Sequence, residues 1–134
     1  MDNPESKFDQ ISQLLSQHFN DLKLAYVFGS QASGQATPDS DWDIAIFPAQ
    51  SISNETRWEV AQAIASQLNT DVDLIDLREA STVLQMQVIS NGELIIGQQN
   101  EADIFETKVY SMYASLLESH KAIVNVFVDT LKNG

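Results

Sequence analysis

The chain has 134 residues, of which 19 are Asp or Glu and 7 are Lys or Arg, so its formal net charge at pH 7 is −12. This length suits a single domain, and 43% hydrophobic with 19% charged residues is a globular composition rather than a disordered one. The absence of cysteine excludes disulfides, thiol catalysis and thiolate zinc sites. The acidic balance argues against direct binding of nucleic acid, whose phosphates are held by Lys and Arg.

The sequence also argues against a membrane or secreted protein. No apolar run approaches the roughly 20 residues of a membrane span, and the acidic, polar start of the chain lacks the basic and apolar regions of a secretory signal. We therefore expect a cytoplasmic protein.

The first 77 residues are predicted to hold two main helices and three strands. Apolar residues at helical spacing predict a helix over 5–20, and Asn54 is a suitable N-cap for a helix that ends near Leu68. Short apolar runs bounded by turn residues predict strands over 24–28, 42–47 and 71–77. Residues 31–40 are rich in Gly, Ser, Thr, Pro and Asp, which predicts a loop with one helical turn.

The rest of the chain is predicted to form a helix over 79–91, a strand over 93–96 and a long helix over about 104–132. Gly92 is expected to end the first of these helices in the left-handed conformation. The long helix would span roughly 42 Å at 1.5 Å per residue, whereas a domain of this size has a radius of gyration of only about 14 Å. Its apolar face is therefore expected to run beyond the core and to be available to a partner. The alternation of strands and helices predicts one α+β domain over 1–134, with a mixed sheet of about four strands flanked by helices.

Two aspartates, Asp41 and Asp43, stand at the start of the second predicted strand. Because side chains alternate along a strand, both carboxylates point to the same face. Neighbouring carboxylates repel each other and resist burial, and a divalent cation relieves that cost. Mg²⁺ prefers oxygen ligands and commonly binds one or two carboxylates together with substrate phosphates. The pair therefore predicts a magnesium site.

A third carboxylate from the next predicted strand would complete a site for two metal ions. Asp71, Asp73 and Asp76 compete for this role. Asp73 shares a strand face with Asp71, while Asp76 points to the other face, and Asp71 lies nearer the solvated loop. The spacing by itself leaves the choice open.

Phosphate-binding groups are predicted at Gly29 and Ser30, where the first strand ends. Glycine lets the backbone approach a ligand closely, and backbone N–H groups and a serine hydroxyl can face an anion. Ser40, directly before Asp41, is expected to orient the loop and is predicted with them as a nucleotide-binding residue. Together with the carboxylates, these groups predict a site for a metal-bound triphosphate.

The spacing of Gly29-Ser30 and, ten residues later, Asp41-x-Asp43 resembles the polymerase-beta-like nucleotidyltransferase superfamily. The residues in and around this motif are still more similar to those of the minimal nucleotidyltransferases (MNT), and in particular to the MntA-type antitoxins that are paired with HEPN toxins. The segments that carry this likeness are Gly-Ser-Gln-Ala-Ser-Gly at 29–34, Ser-Asp-Trp-Asp-Ile at 40–44 and Asp-Val-Asp-Leu-Ile-Asp-Leu at 71–77. The resemblance covers about residues 10–97 and implies the polymerase-beta-like fold with this segment as its catalytic core.

The resemblance also implies a role for each site residue. Gly29 and Ser30 would hold the triphosphate of ATP, Asp41 and Asp43 would bind two Mg²⁺ ions, and Asp73 would bind the catalytic ion and help to activate the attacking hydroxyl. The implied reaction moves AMP from ATP to a tyrosine hydroxyl of a cognate HEPN ribonuclease toxin and so neutralises it. The C-terminal helix and the acidic surface are the expected contacts with that toxin.

One position departs from the family pattern. Many relatives have Ala-Arg-Gly where this chain has Ala32-Ser33-Gly34, so a charged contact to phosphate is missing here. Backbone amides, Lys23 or a partner chain are the candidate replacements. Two other functions stay open at this stage. One is an antitoxin that masks its toxin by binding alone, and the other is nucleotidyl transfer to a small molecule or an RNA end.

Overall fold

The computed structural model describes residues 4–133, which form nine helices and strands. In chain order they are α1 (Pro4–His18), β1 (Leu22–Phe28), α2 (Ser30–Ser33), β2 (Trp42–Pro48), α3 (Asn54–Leu68), β3 (Val72–Asp76), α4 (Thr82–Asn91), β4 (Glu93–Ile96) and α5 (Gln99–Asn133). The predicted α+β order is confirmed, including the single helical turn, α2, in the loop after β1.

The four strands form one mixed sheet in the order β3-β2-β1-β4. β1 runs antiparallel to both β2 and β4, whereas β2 and β3 are parallel. Parallel neighbours need a long crossover, and α3 supplies it between β2 and β3. As a result, β2 and β3 begin at the same end of the sheet, and β1 ends there.

Each face of the sheet carries its own hydrophobic core. α1 and α3 cover one face, to which Ile44 and Ile46 of β2 point. The residues that alternate with them along the strand point to the other face. On the opposite face, α4 and the first turns of α5 cover Tyr26 and Ala45, and Phe47 meets Phe105 of α5 edge to face with ring centroids 5.2 Å apart. The sheet is thus buried on both sides, which explains why its strands read as nearly continuous apolar runs.

Two helix starts differ from the predictions because serines cap them. Ser53, rather than Asn54, is the N-cap of α3, and its Oγ accepts a hydrogen bond from the Thr56 amide at 3.1 Å. α4 begins at Thr82 rather than at 79, because Ser81 accepts from the Leu84 amide in the same way.

Gly92 ends α4 as predicted, but the predicted left-handed conformation is wrong. Its φ is −88° and its ψ 163°, which is extended backbone. The reason for glycine is space, since a Cβ would collide with the Val88 carbonyl oxygen and lie 3.3 Å from that of Val27.

The C-terminal helix is longer than predicted, with 35 residues in α5. Only its first part joins the core, through Ala102, Phe105 and Val109. A hydrogen bond of 2.9 Å from the Tyr26 hydroxyl to Glu106 fixes this part to β1, and burial together with the Glu106 carboxylate raises the pKa of Tyr26. Within residues 4–133, no helix combines the length and apolarity that crossing a membrane requires.

Candidate active site

Asp43 and Asp73 are direct neighbours on the parallel strands β2 and β3. Adjacent strands lie about 4.8 Å apart, so the two carboxylates stand side by side. Ala45 and Ile75 follow Asp43 and Asp73 by two positions, and both pack in the core beneath α4 and α5. Because residues two positions apart on a strand share a face, the two carboxylates lie on that same face of the sheet. The structure therefore places Asp43 and Asp73 side by side at the end of the sheet where β2 and β3 begin, and Asp41 lies close enough for its charge to act on Asp43.

Gly29 lies next to Asp43 on the side of the site opposite Asp73. Phe28, the last residue of β1, pairs with Asp43, and Gly29 directly follows Phe28. Gly29 has a φ of +73°, which favours glycine, and a Cβ built on it would collide with Asp43 Oδ2 and lie 3.2 Å from its Cγ. The backbone of the predicted phosphate-binding turn thus lies directly against the carboxylate. Ser30 follows as the first residue of α2, where backbone N–H groups lack intrahelical acceptors.

The loop that carries Asp41 is held by hydrogen bonds on both sides. The Trp42 amide donates to the Asp71 carbonyl at 3.0 Å, which ties the starts of β2 and β3 together. The Ser40 hydroxyl accepts from the Thr37 amide at 2.8 Å, and the Ser40 carbonyl accepts from Gln31 Nε2 at 3.1 Å. Ser40 therefore orients the loop, as predicted. Gln31 is a positioning residue that the sequence did not reveal, since nothing around it marks an amide that reaches back across the loop.

Asp43 is the residue on which the electrostatics of the site converge. Its pKa is raised, first by burial and then by the nearby negative charges of Asp73 and Asp41. The arginines are engaged elsewhere: Arg57 donates to the Leu74 carbonyl at 3.3 Å, and Arg78 donates to the Ala49 carbonyl at 3.3 Å. Ionising Asp43 therefore costs more than ionising a free carboxyl group.

The donor set fits Mg²⁺ that arrives with a nucleotide. The available ligands are hard carboxylate oxygens on adjacent strand ends, and their mutual repulsion raises the pKa of Asp43. Within residues 4–133, no group of three or more His, Asp or Glu side chains could hold a metal ion by itself. Mg²⁺ does not require such a cage, because it keeps several waters and takes substrate phosphates as further ligands.

Neither competing residue pairs with Asp43 in the sheet. The Asp71 side chain is exposed. Asp76 is only 5% exposed at the opposite end of β3, where its Oδ1 accepts from the Arg78 amide at 2.9 Å. Lys23 lies near the start of β1 and lines a groove of ≈ 640 Å³ beneath α5, with Phe47 and Arg78. Lys23 lies six positions before Gly29 along the strand, or about 20 Å, so its suggested role as a replacement for the missing arginine is wrong.

Comparison with known proteins decides the family. Residues 9–101 match the family model described as "Polymerase beta, Nucleotidyltransferase". The chain belongs to this nucleotidyltransferase family. The matched segment contains β1, β2 and β3 with all the residues of the site, so the predicted resemblance and fold are confirmed.

Individual relatives of this nucleotidyltransferase are similar over most of its length. Protein adenylyltransferase MntA of Shewanella oneidensis is 43% identical over 117 residues, which are 87% of this chain and 84% of the relative. A crystal structure of a toxin–antitoxin with AMP-PNP is similar with a TM-score of 0.83 and 42% identity, covering 88% of this chain and 95% of that chain. A structure of the tri-AMPylated Shewanella oneidensis HEPN toxin in complex with its MNT antitoxin is similar with a TM-score of 0.80 and 39% identity, covering 92% and 97%.

Because the pKa of Asp43 is raised, ionised Asp43 should lower the stability of this nucleotidyltransferase. At pH 7 the Asp43→Asn variant should unfold at a higher temperature than the wild type, by a few degrees. The folded pKa lies above the model value of 3.8, so as pH rises above that value the unfolded chain loses its proton first, and the folded state is destabilised. The difference between variant and wild type should therefore disappear as pH is lowered towards 4.

The measurement is the melting temperature by circular dichroism from pH 4 to pH 8, with and without Mg²⁺. Mg²⁺ should stabilise the wild type more than Asp43→Asn. Asp71→Asn serves as a control, because this carboxylate is exposed and its removal should change stability little. A lower melting temperature for Asp43→Asn at pH 7 would contradict the electrostatic account of the site.

Proposed function

We propose that this nucleotidyltransferase is a Mg²⁺-dependent protein adenylyltransferase and an antitoxin. It moves AMP from ATP to a tyrosine hydroxyl of a cognate HEPN ribonuclease toxin, and this neutralises the toxin. The observation that carries the proposal is the pairing of Asp43 with Asp73 directly against the Gly29 turn. Its support is the 43% identity to a protein adenylyltransferase and the similarity to a complex with a tri-AMPylated HEPN toxin.

In this proposal residues 1–134 form one catalytic domain that works in the cytoplasm, where ATP is available. Asp41 and Asp43 would hold two Mg²⁺ ions together with the triphosphate, and Asp73 would share the catalytic ion. When bound, Mg²⁺ lowers the pKa of the attacking hydroxyl and neutralises charge on the leaving oxygens. The hydroxyl releases its proton to solvent, and its oxygen forms a bond to the α-phosphorus while the bond from the α-phosphorus to pyrophosphate breaks. Pyrophosphate leaves, and AMP stays on the tyrosine.

The chain's own groups position the reactants. Gly29 lets the backbone at Ser30 approach the phosphates, because no side chain separates it from Asp43. Asp73, beside Asp43, is placed to take part in activating the hydroxyl. Ser40 acts through the loop, since its hydroxyl and carbonyl fix the segment that leads into Asp41. The transferred AMP adds bulk and negative charge to the toxin, which opposes RNA binding there.

Ser33 provides a test of the phosphate contact that this chain lacks. It is the last residue of α2 and is exposed, one helical turn from Ser30. Ser33→Arg should lower the KM for ATP about tenfold, the effect of a charge-assisted hydrogen bond of about 1.4 kcal/mol. Ser33→Gln, which adds length without charge, should change the KM little. Equal effects of Arg and Gln would contradict a charged contact to phosphate at this position.

The proposed function is tested by incubating the chain with α-labelled ATP, Mg²⁺ and a purified HEPN toxin, beginning with that of Shewanella oneidensis. We expect label on the toxin, release of pyrophosphate, loss of both in EDTA, and a modified tyrosine identified by mass spectrometry. Replacing that tyrosine by Phe should abolish labelling. If labelling is absent although the two proteins form a complex that inhibits the ribonuclease, the chain is an antitoxin that acts by binding alone.

A further inference from the structure

The groove of ≈ 640 Å³ beneath α5 lies at the opposite end of the sheet from the carboxylate site. Its walls come from the start of β1, the end of β2, the turn after β3 and the first part of α5. Phe47, one of its lining residues, lies four positions after Asp43 on β2, or about 13 Å along the strand. A ligand in this groove would therefore be held apart from the reacting groups.

Three positively charged side chains line this groove, namely Lys23, Arg78 and Lys108. The chain has 7 Lys and Arg residues against 19 Asp and Glu, so nearly half of its positive charge meets here. The three residues belong to β1, the turn after β3 and α5, so only the fold brings them together. Glu79 and Glu101 also line the groove, which leaves a local charge of +1 in a molecule of net charge −12. We call it the cationic groove. Like charges repel, and an anion held among them relieves that repulsion.

Arg78 is held in place by the wall of the cationic groove. Its Nη1 donates to the Ala49 carbonyl at 3.3 Å, and its guanidinium group lies over the Phe47 ring, 5.8 Å from the ring centroid. A guanidinium group has five N–H donors, so those that the backbone does not use can bind a phosphate. Because the side chain is already positioned, binding an anion costs it less conformational entropy.

The rest of the lining is mostly apolar and partly aromatic. Leu24 and Leu77 are buried, and the rings of Phe47 and Phe105 meet edge to face. Gln85 adds a polar group, since its Nε2 donates to the Leu77 carbonyl at 2.8 Å and its Oε1 can accept from a ligand N–H. Apolar and aromatic walls with a few polar groups, around a volume of about 300–1,000 Å³, are typical of small-molecule sites.

We propose that the cationic groove binds a nucleoside monophosphate, at a site separate from the one that reacts. The three cations would contact the phosphate, and the base would lie against the aromatic rings. Inorganic phosphate would leave the apolar surface uncovered, and a neutral nucleoside would leave the cations without a counter-charge. A nucleoside monophosphate satisfies both features. This inference does not depend on the proposed function, because none of the residues that line the cationic groove belongs to the carboxylate site.

The test is binding of AMP to the full chain in EDTA, measured by calorimetry. Without Mg²⁺ the carboxylates at the other site repel a phosphate, so binding there is suppressed. Lys23→Gln/Lys108→Gln should raise the Kd for AMP at least about tenfold, because two charge-assisted contacts are lost. Lys121→Gln/Lys132→Gln removes the same charge from two lysines outside the groove and should keep the Kd within about twofold of the wild type. All four lysines are exposed, so both variants should keep the melting temperature of the wild type.

Amide shifts in nuclear magnetic resonance spectra locate the ligand. AMP should shift the signals of Phe47 and Phe105 and leave those of Gly29 and Ser30 unchanged. Inorganic phosphate and ribose 5-phosphate should each bind at least about tenfold more weakly than AMP, because they lack a base that stacks on an aromatic ring.

Several outcomes would overturn a nucleotide site in the cationic groove. They are equal Kd values for the two lysine variants, the largest shifts at Gly29, and equal affinity for AMP and inorganic phosphate. Tighter binding of a hexaglutamate peptide than of AMP would also overturn it, since the groove would then be a site for acidic peptides. So would the absence of AMP binding at millimolar concentration. Label transfer to a toxin is measured separately, and its presence or absence leaves this inference unchanged.

Discussion

Replacing Asp41 and Asp43 together by Asn should lower the rate of AMP transfer at least about 1,000-fold. Each Asn keeps the size of the side chain but removes the charge that would hold Mg²⁺ beside the triphosphate, and loss of about 4 kcal/mol of transition-state stabilisation corresponds to that factor. The fold should persist, because ionised Asp43 is disfavoured in the folded state by burial and by its acidic neighbours. The measurement is the initial rate of label transfer from α-labelled ATP at saturating toxin.

The matched control removes two other negative charges from the same region. Asp39 and Asp71 are both exposed, one in the loop before Asp41 and the other before Asp73. Asp39→Asn/Asp71→Asn should retain the rate within a few-fold. A transfer rate for Asp41→Asn/Asp43→Asn within tenfold of the wild type would refute the catalytic assignment. If this variant lost transfer but still neutralised the toxin in cells, binding alone would be sufficient for protection.

Gly29→Ala should lower kcat about 100-fold, whereas Gly34→Ala should leave it within a few-fold of the wild type. Both glycines have positive φ, +73° and +79°, so both substitutions carry a backbone cost. It is about 1–2 kcal/mol for the left-handed Gly34 and up to about 3 kcal/mol for Gly29, whose ψ of −154° lies in a region open almost only to glycine. Their surroundings differ: a Cβ at Gly34 meets nothing within 4 Å, while a Cβ at Gly29 collides with the Asp43 carboxylate. Displacing a catalytic group by about 1 Å costs about 100-fold in rate.

The two glycine variants separate strain from catalytic geometry. Melting temperatures should fall in both, and the transfer rate should fall strongly only in Gly29→Ala. Magnesium titration should show weaker activation of Gly29→Ala, because Asp43 is the group that moves. Equal rates for the two alanine variants would mean that the contact between Gly29 and Asp43 has no part in the reaction.

Much of the site follows from local sequence. Asp41 and Asp43 are fixed two residues apart, and a strand must turn both to one face, so their proximity needs no knowledge of the fold. Gly29 and Ser30 end an apolar run, which marks the turn where a strand gives way to a loop. The errors in the predicted helix starts are small. With Ser53 and Ser81 as caps, two helices begin one and three residues away from the predicted positions.

Contacts between residues far apart in the chain could not be predicted from local sequence. The spacing of Asp71, Asp73 and Asp76 allowed each to join the site, and only the register of β3 beside β2 places Asp73 next to Asp43 and buries Asp76 at the far end. The sequence allowed Lys23 as a phosphate ligand, but Lys23 lies near the start of β1 whereas Gly29 follows its end. Gly92 was expected to adopt a left-handed turn, yet the crowding by Val27 and Val88 is what requires glycine.

The net charge and the apolar helix show the same division. The sequence by itself determined an acidic, cysteine-free α+β chain with a carboxylate pair, a phosphate-binding turn and a long apolar C-terminal helix, because composition and periodicity are properties of the chain alone. The tertiary structure decided which carboxylates meet and where the helix leaves the core. These outcomes depend on strand register and on how much of α5 the sheet can cover, and both are set by packing between residues far apart in the chain.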